Sequence, residues 1–255
     1  MRIRFSIAAR AVFLAGVITL VGGGAALAGT ITLWAVEYPP YLSDTLDGGG
    51  PMARMIRESL AGTEIRPRFV FAPRARCEVM VRSGRAAGAL PFVPTPDRKR
   101  IARFSTPLAV SRTVLFYKTD KLRYFEPAGL DDLRTYDLGG VRGNAYESRL
   151  MAAGIPVDFS PDLPGSFRKL LMGRIDLVPE DDQVGWWMIN RLYPRGNHSF
   201  SATERSLWVD PLCLMVSRRH SDAQGLLTAV NAGLERLRRS GRLDELLRAA
   251  DLDGP

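Results

Sequence analysis

The sequence predicts an α/β chain arranged as two lobes. Three observations predict it. Short β-rich runs alternate with helical patterns, one layout of helix, Gly, Arg, strand and Pro occurs twice, and about 227 residues remain once an export leader is set aside. Alternation of β and α argues for largely parallel pairing. The repeated layout is residues 83–91 (Ser-Gly-Arg-Ala-Ala-Gly-Ala-Leu-Pro) and 172–179 (Met-Gly-Arg-Ile-Asp-Leu-Val-Pro). A glycine that caps a helix and feeds a buried strand is common in such folds, so the echo favours two similar lobes without proving a duplication. The length sits near the upper limit for one core and suits two.

Each element follows from local chemistry. Residues 31–36 are a β-rich run that ends at Tyr38, Pro39, Pro40 and Tyr41, where two prolines forbid both helix and central strand and impose an ordered loop. Asp47 and three glycines lead to a helix over 51–60, with Met52, Met55, Ile56 and Leu60 on one face. A strand over 66–71 precedes a helix over 73–82 that stops at Gly84, and 89–93 make the next strand. Further strands are expected at 113–117, 138–141 and 175–178, with helices from Asn144 through Met151 and over 165–172. Gly129 to Leu133 reads as a short turn or helix start. After a strand over 212–217 come helices over 223–239 and 243–250, whose Leu226, Leu227, Val230, Leu234 and Leu237 form a core stripe.

The first 28 residues read as an address. Arg2, Arg4 and Arg10 precede an apolar run over 11–21, and Ala26, Leu27 and Ala28 supply an A-x-A cleavage site. The run is short and broken by Gly22 to Gly24, which argues against a membrane anchor, and no cysteine follows for lipidation. Cleavage after Ala28 and export to the periplasm are therefore expected. Of 35 basic residues the leader takes three, and against 27 acidic ones the mature chain keeps a formal +5. Such an excess over Arg-rich helices usually marks a solvated surface, and export argues further against nucleic acid, so no nucleic-acid partner is expected. Cys77 and Cys213 are the only cysteines. The compartment permits pairing and nothing in the sequence fixes their distance, so a disulfide and two separate thiols both stand open.

Catalytic and metal chemistry have thin support. His198 and His220 are isolated in polar stretches, no G-x-S-x-G elbow occurs, and Gly139 to Asn144 lacks the spacing of a dinucleotide loop. No cofactor and no metal are expected. Binding chemistry is better supported. Thr95, Pro96, Asp97 and Arg98 follow an apolar strand, and the turn-forming pair holds the Arg98 guanidinium where it can meet a carboxylate through two parallel hydrogen bonds. The Gly143, Asn144 helix entry offers free backbone N–H groups to an anion.

The stretch from Thr95 through Phe104, Ser105, Thr106 and Pro107 resembles the TPER...FSDP signature of extracellular solute-binding proteins of family 3, which serve amino-acid ABC importers. Asn231 to Leu234 and Ser240 to Leu243 are similar to that family's terminal N-x-x-L...dG-x-L segment, and the resemblance spans nearly the whole mature chain. It implies a type II periplasmic-binding-protein fold, with a mixed, mostly parallel sheet in each lobe and the ligand cleft between them. Lobe one would be 29–110 plus 208–255, and lobe two 111–207.

The resemblance also implies a site. Arg98 would grip the carboxylate of an amino acid or related solute. Asp181, at the family's G-R-x-D-x-x-x-x-D position, would take the ammonium, with Glu180 and Asp182 as competitors and an acidic helix start as the plain structural alternative. Tyr38, in a loop resembling Y-x-P-F/Y, would pack over the ligand, with Glu37 beside it. Arg76 matches a W-x-R element, whereas Arg74 stands where the relatives carry tryptophan. Asn144 and Ala145 replace a pair of threonines, and Val93 replaces a hydroxyl residue, so Arg98 argues for a carboxylate more firmly than for an ordinary amino acid. Trp186 and Trp187 are expected to pack in the core. The expected role is that of a monomeric binding protein, not an enzyme, that closes on its solute and delivers it to a membrane permease. Two alternatives are an enzyme on the same fold, as in cyclohexadienyl dehydratases, and a sensory module that signals through a membrane partner.

Overall fold

A computed structural model describes residues 29–252, with side chains through Arg248; the leader reading and its cleavage site lie outside the described residues. The first strand, β1 (Gly29–Ala35), alternates buried Ile31, Leu33 and Ala35 with outward neighbours. Helix α1 (Pro51–Ser59) starts with proline in its first turn and buries Met52, Met55 and Ile56. Then come β2 (Ile65–Phe71), α2 (Arg74–Arg82) and β3 (Gly88–Phe92). Residues 96–101, expected as a turn, are a short helix, α3 (Pro96–Ile101), because the Thr95 side chain caps it by accepting from Arg98 N and Pro96 fits its first turn. β4 (Ala102–Phe104) and the long β5 (Ala109–Lys118) follow.

The middle of the chain holds β6 (Leu138–Val141), α4 (Ala145–Ala152), β7 (Val157–Ser160), α5 (Leu163–Leu171), β8 (Val178–Asp181), α6 (Asp182–Leu192) and β9 (Phe200–Ala202). The strand expected over 175–178 thus lies three residues later. Leu177 makes only an isolated bridge to Leu138, and the ladder with β5 forms at Val178 to Asp181 instead. β10 (Trp208–Ser217), α7 (Ala223–Arg239) and α8 (Arg242–Leu252) complete the chain.

One sheet runs through the molecule in the order β2-β1-β3-β10-β5-β8, with β4 on β10 and β9 on β5, while β6 and β7 pair separately. β1 is parallel to β2 and β3, and β10 is antiparallel to β3, β4 and β5. Pairing around β5 is antiparallel throughout, so the parallel pairing expected of the second half is limited to β6 with β7 and the isolated Leu138–Leu177 bridge. β10 and β5 are shared strands. Residues 208–212 pair with 109–113, the rest of β10 belongs to the first group of strands, and the rest of β5 to the second.

The core divides the same way. Leu33, Met52, Ile56, Leu226 and Leu234 fill one side of the first sheet region, and Cys77, Val81, Phe92 and Met215 the other. Phe116, Phe167 and Ile189 pack on one side of β5, and Leu115, Leu138, Tyr146 and Leu177 on the opposite side. Successive β5 residues therefore serve two separate cores, as period-two alternation requires. α7 returns to α1 at Gly233, where a Cβ would stand 1.8 Å from the Ser59 carbonyl oxygen. Cys77 and Cys213 are both buried and unpaired. Among the described residues no helix is long and apolar enough to cross a membrane.

Candidate functional site

Helix geometry decides which arginine reaches the space between the two groups of strands. α2 buries Arg74, Cys77 and Val81, spaced by three and four on one face. Arg76 lies off that face, is exposed, and stacks over Trp34 at 5.6 Å. Arg74 is 9% exposed, donates from Nη1 to the Pro91 carbonyl at 2.8 Å, and has its guanidinium carbon 5.4 Å from the Tyr38 ring and 5.3 Å from the Phe92 ring. A guanidinium carries five N–H donors. Among the described residues, this buried cation has one hydrogen bond and two ring faces and forms no ion pair with a carboxylate.

Arg98 is differently engaged. It is 5% exposed, and its Nε donates to Glu78 Oε2 at 3.0 Å, its Nη1 to the Val93 carbonyl at 3.3 Å, and its Nη2 to the Gly143 carbonyl at 2.6 Å. Burial first, and then the nearby Arg74 charge, push its pKa down, while Glu78 opposes them. The bond to Gly143 ties α3 to the turn before α4. Gly143 sits at φ +80°, and a Cβ there would meet Ala75 N at 3.4 Å, so this turn packs directly against the start of α2. Asn144, the next residue, caps α4 with its side chain, accepting from Ala145 N at 2.6 Å.

Glu180 and Asp181 show why adjacent residues on a strand cannot share a task. Asp181 turns away from the cleft. Its carboxylate accepts from Val184 N at 3.2 Å and Arg112 N at 3.3 Å, capping α6, and it borders a depression with Tyr41, Ala109 and Arg112. The cleft-facing acid is Glu180, 3% exposed, whose Oε1 accepts from Asp181 N at 2.9 Å. Burial first, and then the Asp181 charge, raise the Glu180 pKa to about 7, against the pull of its backbone bond, of Arg74 and of the Tyr38 hydroxyl. Tyr38 is buried, stacks on Tyr41 at 6.0 Å, and has its own pKa raised by burial and by both acids.

Two spaces meet at this cluster. The inner one, lined by Arg98, Ala145, Tyr146, Arg149 and Asp210, measures about 10 Å³, room for about one water. Arg149 there is held by Asp210 through two bonds of 2.6 and 2.7 Å. The outer space is a chamber of about 610 Å³ between the two groups of strands. Tyr38, Arg74, Asn144 and Glu180 line both and so form the wall between them. Of the six residues singled out from sequence, Tyr38, Asn144 and Glu37 border the chamber, Arg98 borders the inner space, and Arg76 and Asp181 border neither. Glu37 is exposed and accepts from Asp44 N at 3.1 Å. Two residues at the dividing wall, Arg74 and Glu180, were not put forward as primary candidates. The spacing of Arg74 with Cys77 and Val81 was the available signal for one, and strand alternation at 178–181 the signal for the other.

Comparison with known proteins agrees with this architecture. A histidine kinase sensor domain with similarity to periplasmic binding proteins superposes with a TM-score of 0.75 at 21% identity, covering 87% of this chain and 96% of that one. A mutant of ArgBP from T. maritima gives 0.75 at 17%, covering 88% and 96%. The amino acid ABC transporter substrate-binding protein AbpA from Streptococcus pneumoniae, bound to L-arginine, gives 0.71 at 20%, covering 87% and 94%. No curated protein matches the chain. The superpositions establish a two-lobed, periplasmic-binding-protein-like fold. Residues 37–249 match the family described as bacterial extracellular solute-binding proteins, family 3. The chain belongs to that family.

Proposed function

We propose that the protein captures a small carboxylate-bearing solute in the chamber between its lobes, closes on it by flexing the β5–β10 connection, and hands it unchanged to an ABC-type membrane permease outside the cytoplasm. Arg74 carries the reading. A buried guanidinium with one hydrogen bond, at the wall of a 610 Å³ chamber, presents its remaining donors to an anion. Glu180 supports it from the opposite lobe, where a carboxyl that burial inclines to keep its proton can lie beside a bound carboxylate without repelling it. Arg98 then serves closure instead of grip, since its bond to Gly143 spans the lobes. Closure also excludes water, which strengthens every charge contact at Arg74.

The test is a calorimetric and thermal-shift screen of L-amino acids, dicarboxylates and monocarboxylates on the wild-type protein. A solute at a hundred times its Kd raises stability by about 2.7 kcal/mol. Mass spectrometry recovers it unaltered, and small-angle scattering records a more compact particle. A screen in which no carboxylate binds, or in which the bound compound is converted, sinks the reading.

A second reading has one observation in its favour, the similarity in fold to a histidine kinase sensor domain. On that reading the same capture event is reported to a membrane receptor. Pull-down of membrane partners in the presence and absence of solute separates the two.

A further inference from the structure

The solute itself has a chemistry that the chamber walls define, and this inference rests on the capture reading above. We infer that the ligand is a monocarboxylate with a large apolar body, its carboxylate on Arg74 and its hydrocarbon portion in the outer chamber. The inner space around Arg98, where the polar head of a small amino acid would be expected from sequence, holds about one water, and its cations are committed: Arg98 to Glu78 and Gly143, Arg149 to Asp210. The outer chamber is sixtyfold larger and lies within the range of about 300–1,000 Å³ that encloses drug-sized molecules. Val36 and Phe71 from the first lobe, and Leu163, Val184, Trp187 and Leu192 from the second, give it apolar walls on both sides. A solute with a short polar side chain would leave those walls facing water.

Charge placement rules against a second carboxylate. Besides Arg74, the cation lining the chamber is Arg191, which is exposed and stacked over Trp187 at 5.4 Å. The remaining charged groups are acids: Glu180 at the inner wall, and Glu37, Asp44 and Asp162 at exposed positions toward the rim. A dicarboxylate long enough to span the chamber would bring its far end against that acidic rim. A single carboxylate on Arg74 with an apolar tail meets no such conflict.

Isothermal titration of the wild-type protein with butanoate, hexanoate and octanoate tests this without any mutation. Affinity is expected to rise about fourfold per added methylene, the fold-change equal to about 0.8 kcal/mol of buried CH₂, and octanamide, which lacks the charge, should bind at least about thirtyfold more weakly than octanoate. Arg74→Gln should remove the preference for octanoate over octanamide. Trp187→Ala, in case the buried substitution fails to fold, should weaken octanoate more than butanoate. Arg76→Gln, outside the chamber, should leave all three affinities unchanged. A flat chain-length series, or equal binding of acid and amide, overturns the inference. If glycine, L-serine, L-glutamate or L-arginine bind and close the protein while the alkanoates do not, capture stands and this assignment of the ligand falls. If neither set binds, both fall.

Discussion

At the scale of single residues, Glu180 is the group whose ionisation the fold makes expensive. Its carboxyl titrates near pH 7 in the folded chain against an ordinary value of 4.5. Below pH 4.5 both folded and unfolded chains hold the proton. As pH rises from 4.5 toward 7 the folded chain keeps a proton that the unfolded chain has lost, so stability falls, and above 7 the full cost of about 3 kcal/mol is present. Glu180→Gln is therefore expected to raise the melting temperature at pH 8 and to leave it unchanged near pH 4.5. An equal effect at both pH values would refute the assignment. The same titration acts on binding. Arg74, Tyr38, Asp181 and Tyr146 surround the group electrostatically, and an ionised Glu180 offsets the Arg74 charge, so capture of an anionic solute should weaken as pH passes upward through about 7.

Arg98 is the residue that sequence reading picked out first, and its environment explains why it stood out and why its partners did not. Proline, aspartate and the following FSTP segment identified it, but its partner Glu78 lies twenty residues away and Gly143 forty-five residues away, distances that no local pattern encodes. Arg98→Gln removes the buried half of the Glu78 ion pair and leaves that carboxylate to Arg82 alone, and it also deletes donors to the Val93 and Gly143 carbonyls, with an expected loss of about 2–3 kcal/mol in urea unfolding. Only partial recovery is expected in an Arg98→Gln, Glu78→Gln double variant, and full recovery would show that the carbonyl bonds contribute nothing. The two cysteines, whose pairing the sequence left open, are separate thiols raised by burial to about 11 at Cys77 and about 12 at Cys213. Neither should react with maleimide in the native protein at pH 7.

At the scale of elements, hydrophobic periodicity located the helices well, because Met52, Met55 and Ile56 or Leu226, Val230 and Leu234 leave one face no choice but the core. Strand register was harder to see. Ile175 and Leu177 are buried as strand residues would be, yet the ladder with β5 begins only at Val178. That shift puts Glu180 and Asp181 side by side in one strand and makes them alternate, which is why a motif reading chose the acid that caps a helix over the one that faces the cleft. The short α3 escaped notice for a related reason, since Thr, Pro and Asp are equally good at starting a turn and starting a helix. Helix contact makes its own prediction at Gly233. Ala there would press its Cβ into the Ser59 carbonyl, so Gly233→Ala should cost about 3 kcal/mol by driving α7 away from α1. Unchanged unfolding in urea would mean that the helices separate freely.

At the scale of the whole molecule, the two-lobed plan was legible because it follows from length, alternation and a repeated helix–strand junction. What could not be read was the division of the cleft into a tight inner space and a wide outer chamber, which depends on how Tyr38, Arg74, Asn144 and Glu180 meet from distant parts of the chain. The continuity of the sheet carries a further consequence. Residues 109–113 and 208–212 are rungs of one antiparallel ladder, not loose linkers. Rotation of one lobe against the other is then torsion of a two-stranded ribbon that keeps its rungs. Deuterium should enter the amides of that ribbon slowly whether or not solute is bound, while exchange at the Gly143 turn slows on closure. The joint between the lobes would be among the most protected backbone in the protein and the rim of its cleft among the least.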